Sequence, residues 1–132
     1  MYKFAVVTLV LFWAVLASAA DWTVVADTRL GQLKLDKASV GTQEKYTRAT
    51  LVYEFKGLQR LSAAPFSVFN KRQDDVLVDC SGQSMGILTS RFLEDDKLRS
   101  TTSLKLSSVK FQPSTQGTMA ETVIHAICAI KP

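Results

Sequence analysis

The chain has 132 residues, of which 47% are hydrophobic and 21% charged, and a formal net charge of +4 at pH 7. That length suits one domain with a single modest core. Lys71-Arg72 is an isolated basic pair and Asp74-Asp75 follows at once. The clustered base and interleaved aromatics of a nucleic-acid reader are missing, so no nucleic-acid partner is expected.

The N-terminus opens with Met1-Tyr2-Lys3, continues as an uncharged apolar run from Phe4 to Leu16, and ends in Ala17-Ser18-Ala19-Ala20. A positive start, an apolar middle and small residues at a cut site make residues 1–20 a secretory signal peptide. Cutting after Ala20 or after Ala19 both place small side chains at −3 and −1. The working domain is then 21–132, and the loss of Lys3 lowers the net charge by one. The apolar run falls short of the ~20 residues that span a bilayer, and no membrane span is expected in the mature form. No cysteine stands at the cut, so no lipid anchor is expected and surface attachment loses its usual means. The periplasm or the medium is the expected location.

Two cysteines remain, Cys80 and Cys128. An even count in an exported chain favours a disulfide. Closing so long a loop restricts the unfolded chain by ~4 kcal/mol. Free thiols and a metal pair are the alternatives, but two cysteines and the lone His125 fall short of a tetrahedral zinc set.

In chain order, Trp22 to Asp27 alternates, with Trp22, Val24 and Ala26 on one side, as a half-buried strand does. Gly31 reads as a bulge or tight turn before a second alternating run, Leu33 to Asp36. Lys37 to Glu44 is polar and reads as loop. Arg48 to Phe55 is the clearest strand: Ala49, Leu51, Tyr53 and Phe55 share one face, and Arg48, Thr50, Val52 and Glu54 the other. Leu58 to Pro65 reads as irregular, Phe66 to Phe69 as a short strand, and Asn70 to Asp75 as a turn. Val76 to Cys80 is β-branched and strand-like. Met85–Phe92 and Leu98–Leu106 form a hairpin around Leu93 to Lys97, and Ser107–Phe111 a weaker strand.

The period then changes. Gly117 precedes Thr118-Met119-Ala120-Glu121, which fits a capping box. Ala120, Val123, Ile124, Ile127 and Cys128 fall at helical spacing. A helix from Met119 to Ala129 is expected to lay this stripe on the sheet, with Glu121 and His125 outward and Cys128 stapled to Cys80. The expected fold is α+β: one antiparallel sheet of about six strands with a C-terminal helix on one face.

Chemistry-bearing sets are scarce. Ser81, Ser84, Asp79 and His125 supply the letters of a catalytic triad, but no G-x-S-x-G elbow positions a nucleophile. Glu94-Asp95-Asp96 reads as a solvated hairpin tip, since calcium needs six to eight oxygens and a glycine turn. No phosphate loop accompanies Gly82 or Gly86. No catalytic, metal or cofactor-binding residue is therefore assigned, and no enzyme activity is expected.

Several stretches together resemble the surface-adhesin E family of bacterial exported proteins. They are Trp22; Leu35-Asp36-Lys37-Ala38-Ser39-Val40; Thr50-Leu51-Val52-Tyr53-Glu54-Phe55; Val78-Asp79-Cys80; and Phe111-Gln112-Pro113 followed by Gly117-Thr118 through Ile127-Cys128. Phe111 stands where the family commonly has tryptophan. The resemblance spans 21–132 and carries over the two cysteines in a structural role. It implies an adhesin-like, non-enzymatic binding module that contacts a protein, such as a host matrix or serum protein. The mixed polar face with Arg48, Thr50 and Glu54 is the candidate interaction face, and a homodimer through that face or an edge strand is compatible with it. Two other readings stand beside this one: a periplasmic inhibitor or envelope accessory protein, and a binder of haem or another small molecule.

Overall fold

The computed structural model describes residues 19–61 and 68–130. Six strands succeed one another across a single antiparallel sheet in chain order: β1 (Trp22–Asp27), β2 (Gly31–Gln43), β3 (Tyr46–Arg60), β4 (Val68–Asp79), β5 (Ser84–Glu94) and β6 (Lys97–Ser103). A 3-10 turn at Leu106–Ser108 and a two-residue strand β7 (Gln112–Pro113) lead to the helix α1 (Met119–Cys128). β7 pairs with Ser84 and Met85 at the start of β5, beyond the reach of β6. This is the α+β architecture expected from the pattern of apolar residues, with its helix-to-sheet disulfide, Cys80–Cys128, in place.

The turns explain the tightness of the meander. Thr28 and Gly31 exchange backbone hydrogen bonds across the β1–β2 turn. Gly31 is there because of close approach: a β-carbon on it would lie 2.0 Å from the carbonyl oxygen of Glu54 on β3. The β5–β6 hairpin turns on Asp95 and Asp96, both at positive φ (48° and 66°). A two-residue turn of this hand needs positive φ twice, and aspartate tolerates it better than most residues. That backbone demand accounts for the acidic tip.

Register decides which side chains share a face. Leu33 and Leu35 stand opposite Tyr53 and Leu51, and Ala49 stands opposite Val76. These residues, with Val78, receive Val123, Ile124 and Ile127 from α1, and together they make one core. The helix begins at Thr118, whose hydroxyl accepts from the Glu121 amide at 3.4 Å. The cap is thus realised on the Thr118 side; Ile124 and Ile127 are buried, His125 is exposed, and Glu121 is half-buried rather than fully outward.

Part of the second face is closed by the chain itself. Gly86 stands opposite the fully buried Leu77. A β-carbon on Gly86 would meet Val109 Cγ1 at 2.4 Å, so the segment after β6 lies directly over this position. Phe111 then stacks on Tyr46 with ring centroids 4.6 Å apart.

Several expectations are corrected. Lys37 to Gln43 is strand, not loop: β2 runs on after a register shift between Asp36 and Gly41, and that bulge, not a loop, breaks its alternation. Asn70 to Asp75 belongs to β4 rather than to a turn. Its charges are tolerated mid-sheet because each has a partner, as in Lys71–Asp96, Arg72–Asp74 and Asp75 with two arginines. Ser107–Phe111 is not a strand but a 3-10 turn and a crossing segment. In β1 a shift between Val24 and Ala26 lets both Val25 and Ala26 pack toward the core, while Trp22 and Val24 stay exposed. Leu58 to Arg60 continues β3; the rest of the expected irregular stretch from Ser62 on, Pro65 included, and the start of the Phe66–Phe69 strand lie outside the described residues.

Candidate functional site

The helix is short relative to the strands it covers. Ten residues rise about 15 Å, whereas β3 has fifteen residues. One end of α1 is fixed by Cys128 bonded to Cys80, at the end of β4. The other end, Met119, borders a hollow with Leu30 and Tyr53, near the β1–β2 turn. The helix therefore crosses the sheet obliquely and leaves one corner of the same face uncovered, over β3, β4 and β5.

That corner holds an aromatic ladder. Tyr53 stacks on Phe55 at 4.4 Å, Phe55 meets Phe69 edge-on at 5.6 Å, and Phe69 meets Phe92 edge-on at 4.9 Å. Such pairs add rigidity beyond the area they bury. Arg72 lies over the Phe92 ring at 5.4 Å, bonds Asp74 at 2.9 Å, and reaches Ser90 Oγ at 3.4 Å. Leu33, Leu51, Tyr53, Phe55, Arg72, Asp74 and Ile87 surround an open hollow of about 360 Å³. Ile87, 38% exposed, forms part of its rim. The hollow is a surface depression on the sheet. It offers planar apolar contact and one held guanidinium.

The residues singled out from sequence lie on the opposite face. Thr50 donates to Asp75 Oδ1 at 3.0 Å, while Arg48 and Arg91 each bond Asp75 Oδ2 at 3.3 Å. Arg48 also bonds Gln43 at 3.1 Å. Glu54 pairs with Lys34 at 3.0 Å. The face brings Arg48 and Thr50 together around one buried carboxylate, and Glu54 sits apart in its own ion pair. Their polar groups are already engaged within the molecule, so this face is a rigid, charged platform. Trp22, 42% exposed, stands beside it on β1, opposite Asp36.

Among the described residues no hydrogen bond joins His125 to Ser81 or Ser84, and Ser81 is engaged elsewhere. Ser81 gives its hydroxyl proton to Asp79 at 2.7 Å, and the Gly82 amide donates to the same oxygen at 3.1 Å. These bonds, the Ser81 hydroxyl first, hold the Asp79 carboxyl below the ordinary carboxylate value. An anion favoured in this way organises the turn that follows β4. Among the described residues no helix is long and apolar enough to cross a membrane.

No local pattern marks the corner, because its members are spread over β2 to β5. Alternation puts Tyr53 and Phe55 on one face with Ala49 and Leu51, but the direction of the helix across that face is not written in any local pattern. Comparison of the chain with known family models, with curated proteins and with solved structures finds no match.

Proposed function

We propose that the chain is an exported, non-enzymatic binding module of the surface-adhesin E kind, and that it contacts a protein partner through the uncovered corner of its sheet. The observation that carries this reading is the open hollow beside the helix, lined by Tyr53, Phe55, Arg72 and Ile87 and backed by the buried Phe69. Aromatic and arginine side chains on a rigid support are the residue types that dominate protein contacts. The strands fix their positions, so little ordering is required on binding. In the polar platform Arg48, Thr50 and Arg91 converge on Asp75 without an aromatic ring among them, so it offers fewer such anchors.

A second reading places the contact on the opposite face, because Trp22 and Val24 are exposed there. Pull-downs from envelope extract and on immobilised matrix and serum proteins, made side by side, test the proposal and tell an adhesin from an envelope accessory protein. Ile87→Asp is expected to abolish capture, while Arg48→Ala and Glu54→Ala, on the opposite face, leave it within about twofold. Loss of capture with the alanine variants and not with Ile87→Asp would move the site to the other face. Export is read from the intact mass of protein recovered from its native host, expected to begin at Ala20 or Asp21. A mass that retains the leader contradicts export.

A further inference from the structure

The hollow beside the helix is neutral as a whole, yet it holds a carboxylate. Asp74 lines it together with Arg72, and the side chain of Asp74 is 17% exposed. One oxygen, Oδ1, accepts from Arg72 Nε at 2.9 Å. The other, Oδ2, accepts no hydrogen bond among the described residues. No buried side-chain oxygen or nitrogen among those residues is left unbonded, so Oδ2 meets solvent. The rest of the lining is aromatic or aliphatic: Tyr53 and Phe55 on β3, Ile87 on β5, and the buried Leu33 and Leu51. The Tyr53 hydroxyl is engaged with Thr28 Oγ1 at 3.0 Å. Asp74 Oδ2 is therefore the unbonded side-chain oxygen of this lining.

Arg72 is held on three sides, by Asp74, by Ser90 Oγ at 3.4 Å and by the Phe92 ring at 5.4 Å. This fixed ion pair restricts what can enter. A cation drawn to Asp74 comes up against the guanidinium that Asp74 already binds, and an anion drawn to Arg72 comes up against Asp74, so either charge is opposed. A purely apolar side chain fills the hollow but takes water from Oδ2 and returns no donor, which leaves a charged acceptor desolvated. A neutral side chain with an apolar body and one N–H at its edge meets both demands, because its donor replaces the displaced water. At about 360 Å³ the hollow lies at the small end of ligand sites and suits a single side chain.

We propose that the hollow takes the indole of a tryptophan from the protein partner, with its rings against Tyr53, Phe55 and Ile87 and its N–H donated to Asp74 Oδ2. Indole donates one hydrogen bond and accepts none, which suits a lone carboxylate oxygen. The proposal rests on the corner as the contact surface and names the chemistry that this surface selects.

The N-acetyl amides of tryptophan, phenylalanine, arginine and glutamate are titrated into purified, disulfide-intact protein, and its NMR signals are followed. The tryptophan amide is expected to shift Phe55 and Ile87, to leave Trp22 on the opposite face unmoved, and to bind ~5–10-fold tighter than the phenylalanine amide. The arginine and glutamate amides are expected to shift neither residue. In Asp74→Ala, with folding verified by circular dichroism, the tryptophan advantage should shrink to within about twofold, and the glutamate amide should now bind the released Arg72. The comparison on the native chain stands even if this variant does not fold. Equal binding of the tryptophan and phenylalanine amides, tighter binding of the arginine amide, absence of shifts at Phe55 and Ile87, or a tryptophan preference that survives Asp74→Ala overturns the proposal. The titration needs no partner, so the two readings fail separately. Tryptophan-selective binding without capture in the pull-downs removes the protein contact and keeps this selectivity; Ile87-sensitive capture without tryptophan selectivity does the reverse.

Discussion

Replacing Ile127 with alanine is expected to destabilise the protein by ~2–5 kcal/mol, whereas His125→Ala has an effect within ~0.5 kcal/mol. The two residues are two positions apart on α1, and the contrast follows from the face each occupies. Ile127 is fully buried in the cluster with Ile124, Leu35 and Val78. Removing its branched side chain leaves a cavity between a helix and a sheet. The sheet backbone is tied by ladders on both sides and cannot collapse into that space, so the cost belongs in the upper part of the range. His125 points to solvent, and its removal empties nothing. Urea unfolding of the three proteins measures both differences. Equal, small effects would mean that the helix is not docked through this stripe.

Loss of the disulfide is expected to be of similar size. Cys80→Ala should destabilise by ~2–5 kcal/mol. The bond joins positions 48 residues apart and ties the end of β4 to the last turn of the helix. Without it, α1 is held by its apolar stripe alone, at the end of a connection that starts beyond the two-residue β7. Reduction with the sequence unchanged is the cleaner test, because it leaves the packing of both sulfurs in place. The urea midpoint of the native chain should fall on adding reductant, and the Cys80→Ala variant should not respond to it. A midpoint insensitive to reductant contradicts a structural role for the bond. The two effects should exceed additivity when Ile127→Ala is made in the reduced protein, since the crosslink and the stripe hold the same helix.

How much of this was legible beforehand depends on whether the signal was local. The helix was legible because Thr118 and the Ala120–Ile124–Ile127 spacing lie within eleven residues of one another, and its cap uses the Thr118 hydroxyl as expected. β3 was legible for the same reason, its apolar side chains alternating without a break from Ala49 to Phe55. Asn70 to Asp75 has the composition of a turn, and a charged strand looks the same. What decides between them is whether partners such as Arg48 and Arg91 arrive from neighbouring strands, which is a matter of register. A bulge after Asp36 interrupts the period of β2, so its second half has no strand pattern of its own. The candidate site shares this character. Tyr53 and Phe55 could be assigned to a face, but Phe69, Arg72, Phe92 and Ile87 reach them only through pairing across three strands. The gap beside them is set by the helix's oblique path from Met119 to Cys128. The polar face fared differently: Arg48, Thr50 and Glu54 do share one side of β3, yet a buried Asp75 and a lysine from β2 engage them.

Hydroxyl-radical footprinting of the protein, alone and with the partner captured on it, reads the contact surface directly. Phe55 and Ile87 line the open corner, while Trp22 is exposed on the opposite face and reports on it. Labelling of Phe55 and Ile87 should drop in the complex, with Trp22 labelled as in the free protein. Protection of Trp22 with Phe55 and Ile87 unchanged would contradict a contact through the uncovered corner of the sheet.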